Sequence, residues 1–306
     1  MATSDGEGRD AGDLLENPSI EQVVASCYNR LLQTSHEGGV QPKEYIAIYA
    51  ADRVRNFSSV WMAATVGCAQ CHDHKYDPYS SKDFYSLAAF FADVDDEKHF
   101  KNGTNNLPTR REPEIDVLGR TDRLRLATLE EQLRQAEAES QEDSQSGDPA
   151  EIDRLKQLQQ EIDQINARKQ RTMITKAMEP RVVRFLPRGN WLDDSGDVMQ
   201  PKVPGFLGDI HAFAGLSEND RATRLDLANW LFDVERGIGG LTARVFANRL
   251  WYLYVGRGIS PSLDDFGGQG RPPTNPELLD ALANQLIENG WDLKATIREI
   301  VLSETY

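Results

Sequence analysis

Apolar residues recur at helical spacing through most of the chain, and strand-like patterning is confined to one short run. Ile20, Val23, Val24, Cys27 and Leu31 follow Asn17-Pro18-Ser19, a helix-start signature, and predict a helix over 18–32 with Cys27 in the core. Gly38-Gly39 breaks the pattern. Pro42, Ile46, Tyr49, Ala50, Arg53 and Val54 then predict a second helix over 42–54, and Trp61 and Ala64 a third over 58–67. Ser80-x-x-Asp83 has the form of a capping box ahead of Phe84, Leu87, Ala88 and Phe91. The short helix it opens has an aromatic face suited either to walling a cofactor or, more simply, to packing a core.

After a loop-like stretch over 100–113, two charged helices are predicted over 121–139 and 151–171. Leu124, Leu129, Leu133 and Ala136 line one, and Ile152, Leu155, Leu158, Ile162 and Ile165 the other. The polar link between them carries Gly147 and Pro149, so the pair reads as an antiparallel, coiled-coil-like hairpin or, in a sharper reading, a partner-binding arm. Residues 182–186 form a β-like run that ends in the turn sequence Pro187-Arg188-Gly189-Asn190-Trp191, and 201–208 is irregular. Helices are again predicted over 221–232, 242–254, 276–288 with Asn275 as its cap, and 292–303. The fold class expected is mainly α: irregular helical domains over 1–115 and 176–306, a charged helical hairpin inserted over 116–175, and a minor β element.

Composition narrows the partners more than the chemistry. The 306 residues leave room for two modest domains, and 39% hydrophobic content is that of a globular chain. With 34 basic against 49 acidic residues the formal charge is −15, which argues against nucleic acid and anionic membrane surfaces as partners. The apolar runs fall short of the roughly 18 residues that suggest a membrane span, so no span is expected. The polar, acidic start shows no signal peptide.

The chemistry concentrates in 65–78, which holds two of the three cysteines and two of the five histidines. Cys68-x-x-Cys71-His72 has the spacing of covalent c-type haem attachment, two thiols for two vinyl groups and an adjacent imidazole for the iron. In that reading a sixth ligand comes from elsewhere, with His36, His99, His211 or a methionine available. In a second reading Cys68, Cys71, His72 and His74, with Asp77 near by, hold zinc or non-haem iron. In a third the cysteines are buried thiols or a local disulfide, and the histidines are satisfied polar residues in a turn. Asp264 and Asp265, in an acidic loop ending in Gly267-Gly268, are further candidates for a hard cation, against turn formation and capping. Asn248 and Arg249 read as structural hydrogen-bonding residues.

Ala11-Gly12-Asp13-Leu14-Leu15, Glu37-Gly38-Gly39, Ala51-Asp52-Arg53-Val54 and the block from Gly67 through Cys68, Cys71, His72, His74 and Asp77 to Pro78 resemble the second cytochrome-associated domain of the planctomycete cytochrome c family. Arg224-Leu225-Asp226-Leu227-Ala228-Asn229-Trp230-Leu231, 241–251 and Asp264-Asp265-Phe266-Gly267 resemble the planctomycete-specific domain that follows it. The resemblance implies an exported or periplasmic protein of unsettled function, with suggested links to electron transfer and to polysaccharide breakdown. Family members usually carry a secretion signal and often a cytochrome c domain ahead of this region, so the chain is expected to be a fragment. Three functions stay open: a haem c redox protein working with a redox partner or cytochrome domain; a metal-dependent enzyme on polysaccharide using His72, His74 and Asp77, or Asp264 and Asp265; and an interaction scaffold built on the hairpin.

Overall fold

A computed structural model describes residues 13–34, 41–96, 112–142 and 149–306. Within it the chain divides into two units, one formed by Met1–Thr109 with Ile174–Tyr306 and the other by Arg110–Met173. The fold is mainly α with two small two-stranded sheets among the described residues, as the apolar spacing predicts.

The larger unit opens with α1 (Ile20–Ala25), started by a capping box in which Ser19 and Gln22 exchange side-chain-to-backbone hydrogen bonds, and passes into a 3-10 turn (Ser26–Arg30). Here the expected apolar face is not the buried one. Gln22, Ser26, Asn29 and Arg30 are buried, Leu31 is exposed and Cys27 is only partly covered. Two of these positions are tied to distant segments. Ser26 Oγ accepts the Thr175 N–H at 2.9 Å, Thr175 Oγ1 donates to the Ser26 carbonyl at 2.7 Å, and Arg53 Nε donates to the Asn29 carbonyl at 2.7 Å.

The two helices expected over 42–67 are one. Helix α2 (Pro42–Met62) runs unbroken, because 55–57 contains neither Gly nor Pro and Phe57 carries the buried face across the apparent gap. It ends at Ala63, whose left-handed backbone (φ 45°) turns the chain into a second 3-10 turn, Val66–Gln70. Helix α3 (Ser81–Phe90) starts from the expected Ser80–Asp83 capping box, and its Phe84, Leu87, Ala88 and Phe90 are buried. That aromatic face packs the core with Val54, Phe57 and Met62 of α2.

In the smaller unit, strands β1 (Glu114–Val117) and β2 (Gln170–Met173) pair antiparallel at the base of two helices, α4 (Arg120–Glu142) and α5 (Pro149–Asn166). The second hairpin helix therefore stops short of 171, where the chain pairs as a strand. Its seam is made by Leu118, Leu129, Ile162 and Ile165 with Leu126, Leu133 and Leu158. Leu124 and Ile152 are exposed: the apolar row 126, 129, 133 keeps helical spacing and leaves 124 off that face.

Past β2 the chain returns to the larger unit, where the expected β run is a two-residue strand, β3 (Val183–Arg184), paired antiparallel with β4 (Val198–Met199). A short helix α6 (Ile210–Ala214) precedes α7 (Arg224–Phe232), α8 (Gly239–Val255), α9 (Pro276–Glu288) and α10 (Leu293–Leu302). Asn275 caps as the sequence predicts, accepting the Leu278 N–H, and Asp292, expected as the first residue of its helix, is its cap and accepts the N–H groups of Lys294 and Ala295. Leu227, Trp230 and Leu231 of α7 join the core of α2 and α3, while α8, α9 and α10 pack a second cluster around Ala243, Leu279, Leu286 and Ile300. Trp61 connects the two clusters, meeting Phe232 edge-on at 5.7 Å and Phe246 at a tilt at 5.2 Å.

Two buried arginines tie distant segments together. Arg53 grips the Asp96 carboxylate through both terminal nitrogens at 2.7 Å. Burial alone would raise the Asp96 carboxyl, but Arg53, with Arg181 beside it, overrides this and holds it below the usual carboxylate range. Arg224 at the start of α7 is held between Asp93 (2.8 Å) and Asp13 (2.7 Å).

Candidate functional site

The site is built where α2 gives way to the loop before α3. The cap at Ala63 reverses the chain, and the 3-10 turn that follows carries Cys68, with Cys71 as its C-terminal cap. Cys68 lies in the turn and Cys71 follows three residues on, the spacing of one 3-10 turn. Both are exposed and unpaired. The turn is braced from below by buried Val66 and Ala69, and from the side by Arg55, which donates to Gln70 Oε1.

The two histidines take opposite tautomers. His72 is exposed, and its Nδ1 lies 2.8 Å from the Asp73 carbonyl. A carbonyl only accepts, so Nδ1 carries the proton and Nε2, which has no partner among the described residues, keeps its lone pair. His74 is turned inward, its side chain only 3% exposed. Its Nδ1 accepts the Asp77 N–H at 2.9 Å and the Tyr76 N–H at 3.3 Å, so the proton sits on Nε2, 3.1 Å from Thr65 Oγ1. Both of its nitrogens are therefore spent inside the loop, which closes with His74 N–H donating to the Tyr79 carbonyl at 2.8 Å.

The carboxylates near by are also engaged. Asp73 Oδ1 accepts the Ser81 N–H at the start of α3 (2.8 Å), and Asp77 Oδ1 accepts the Gly268 N–H at 2.6 Å. The second contact brings the expected acidic loop against the Cys/His loop. Asp265 caps its own turn by accepting the Gly267 N–H at 2.8 Å, Asp264 is exposed, and the Phe266 N–H donates to the Ala63 carbonyl at 2.7 Å. Arg249 reaches across from α8 to the Ser59 carbonyl (2.7 Å) and the Leu263 carbonyl (3.3 Å), and buried Asn248 exchanges hydrogen bonds with the Ser260 backbone. Among the described residues no three His, Cys, Asp or Glu side chains converge as a metal-ligating group. Of the expected sixth-ligand candidates, His36 and His99 lie outside the described residues. His211 Nε2 is held by the Asp220 carbonyl at 3.1 Å, and Met62 is buried in the core.

Several residues shape the site without having stood out in the sequence. Tyr79 lies edge-on to His74 at 6.2 Å. Burial, reinforced by the Asp77, Asp265 and Asp83 carboxylates, pushes its phenol up to about 12. Tyr85 of α3 shares its hydroxyl proton between the Gln70 carbonyl (3.0 Å) and the Leu186 carbonyl (3.3 Å). It too is pushed up to about 12, by burial first and by the Cys71 thiolate second. Gly189 lies directly against the Cys71 sulfur. A long-range contact of this kind leaves no local signal beyond the glycine of a turn sequence.

Two family models match the chain, together covering a little over half of it. One is PSCyt2, a protein of unknown function (DUF1549), over residues 10–96, and the other is PSD1, a protein of unknown function (DUF1553), over residues 223–306. No curated protein and no solved structure matches. The Cys/His loop falls in the first matched segment and the Asp264–Gly268 loop, which it touches, in the second. None of the helices among the described residues is long and apolar enough to cross a membrane.

Proposed function

The chain belongs to the planctomycete cytochrome-associated family in which PSCyt2 precedes PSD1, and on that premise we propose that it is an exported redox protein carrying a c-type haem on Cys68, Cys71 and His72. One observation carries the reading. Two exposed, unpaired thiols, one in a 3-10 turn and one at its C-terminal cap, stand beside an imidazole whose Nδ1 is tied to a backbone carbonyl and whose Nε2 has no partner among the described residues. These residues fit the group: thioether formation needs reachable thiols, and axial ligation needs the deprotonated nitrogen of a ring oriented by its other one.

When bound, the haem supplies one-electron iron chemistry that no side chain can provide. The chain's own residues orient the ligand set. The Asp73 carbonyl fixes the His72 tautomer, Ser81 at the start of α3 anchors the Asp73 side chain, and the buried floor of the turn holds Cys68 and Cys71 outward. A surface-mounted group suits exchange of electrons with a partner protein or a cytochrome domain, and a charge of −15 favours a partner with a basic face.

The test is export of the full chain in a bacterial host able to mature c-type cytochromes. Pigment that stays with the polypeptide through denaturation, and that is lost in the Cys68→Ala/Cys71→Ala double variant, is the expected result. Folded, exported protein that is colourless would overturn the reading.

A further inference from the structure

A turn from far along the chain is laid directly on one of the two motif sulfurs. In 187–190, Arg188 (φ 54°, ψ 25°) and Gly189 (φ 72°) are successive left-handed residues, and the Asn190 N–H closes the turn on the Pro187 carbonyl at 3.1 Å. An arginine rarely adopts that backbone, and such conformations persist where the surroundings over-determine them, often at functional sites. A Cβ on Gly189 would stand 2.8 Å from Cys71 Sγ, closer than real Cβ atoms approach, and 3.6 Å from Gln70 Cγ. A side chain here would be strained by the φ of 72° and would also force the Cys71 sulfur to shift. Tyr85 pegs both sides of the seat, since its hydroxyl bonds Gln70, just before Cys71, and Leu186, just before the turn.

Resting on the haem reading above, we propose that this seat aims the Cys71 sulfur for thioether formation, making Gly189 and Tyr85 positioning residues for that bond. In the step concerned the thiol adds across a vinyl group. A sulfur–carbon bond forms at the carbon attached to the porphyrin, the thiol hydrogen ends on the terminal carbon, and the S–H bond and the vinyl π bond are lost. No oxidant or reductant enters the balance. Because the seat touches Cys71, its loss falls on that thioether and leaves the bond at Cys68 as an internal control.

The experiment compares the full chain with Gly189→Ala, Gly189→Asn and Tyr85→Phe in the maturation-competent host. Asparagine tolerates left-handed backbone yet still carries a Cβ, so it separates collision with the sulfur from backbone strain. In both Gly189 variants haem is expected to stay attached through Cys68 while Cys71 becomes open to alkylation, with the reduced pyridine haemochrome band moved towards that of a haem keeping one free vinyl group. Tyr85→Phe should give a partial loss of the Cys71 bond. Double attachment at the wild-type level in both Gly189 variants would overturn the proposal. The haem-free proteins give a second readout, the rate of alkylation of native Cys71 relative to Cys68, which should rise when the seat is lost. An unchanged ratio overturns the positioning role. A colourless wild type overturns the haem reading and with it the positioning role, whereas a pigmented wild type with an unchanged ratio overturns the positioning role alone.

Discussion

The carboxylate of Asp77 accepts the backbone N–H of Gly268 at 2.6 Å, joining the Cys/His loop to the acidic glycine loop that lies almost two hundred residues further along the chain. The contact is close on both sides. A Cβ on Gly267 would meet both Asp77 carboxylate oxygens at 2.6 Å. The Asp77 side chain is nearly buried, and its charge is met by this N–H.

Asp77→Ala is therefore expected to cost about 1.5–3 kcal/mol in denaturant unfolding, the range for a hydrogen bond to a charged group. Amide exchange at Gly268 should accelerate. Gly267→Ala should destabilise the wild type more than it destabilises Asp77→Ala, because the colliding carboxylate is gone in the second background. A double-mutant cycle measures that coupling, and additive effects would show that the two loops do not meet in this way.

The Arg53–Asp96 pair sets a pH dependence. The folded Asp96 carboxyl is held below its unfolded value, so its contribution is present above the ordinary carboxylate range and is lost as pH falls through the folded pKa. Asp96→Asn leaves a buried guanidinium without its counter-charge and should cost about 3–5 kcal/mol near neutral pH. Melting temperatures followed on acidification should show the wild type converging on the variant, and a gap that stays constant to low pH would refute the assignment.

Tyr79 and Tyr85 make the opposite prediction at the alkaline end. Both phenols are pushed up to about 12, chiefly by burial, and the protonated forms stabilise the fold. That contribution is intact below the ordinary tyrosine value of about 10 and fades as pH rises towards 12. Ultraviolet titration should show a late phenolate component that shrinks in Tyr85→Phe and Tyr79→Phe and moves to the ordinary value in denaturant.

How much of this was readable in advance depends on the range of the interactions. The Ser80–Asp83 box, the Asn275 cap and the Asp292 start announce their helices because the partners lie within three residues. The buried polar residues of the 3-10 turn after α1 are silent because Ser26 answers to Thr175 and the Asn29 carbonyl to Arg53. The Cys/His spacing marks a candidate site on its own. That the thiols stand exposed while His74 turns inward follows from Thr65, the Asp77 backbone and the Ala63 reversal, which no spacing rule reports. The long extension beyond His72 also gains a physical account, since His74 closes the loop and Asp77 docks it against Gly268.

The opposite tautomers of His72 and His74 give a last prediction, because they assign the two imidazoles different work. His74 spends one nitrogen accepting the Asp77 and Tyr76 N–H groups and the other donating to Thr65, so His74→Ala takes away the inward side chain that these groups bond beneath the loop. A cost of about 1–3 kcal/mol is expected in unfolding experiments. His72 makes a single exposed hydrogen bond to its neighbour's carbonyl, so His72→Ala should change stability by no more than about 0.5 kcal/mol, as surface substitutions do. The order reverses for iron. In protein matured with haem, His72→Ala should alter the visible spectrum and lower the yield of ligated pigment, whereas His74→Ala that folds should keep the wild-type spectrum. If His74→Ala instead abolishes axial ligation while His72→Ala leaves it intact, the assignment of the open nitrogen to His72 fails, and the inward ring must leave its loop to reach the metal.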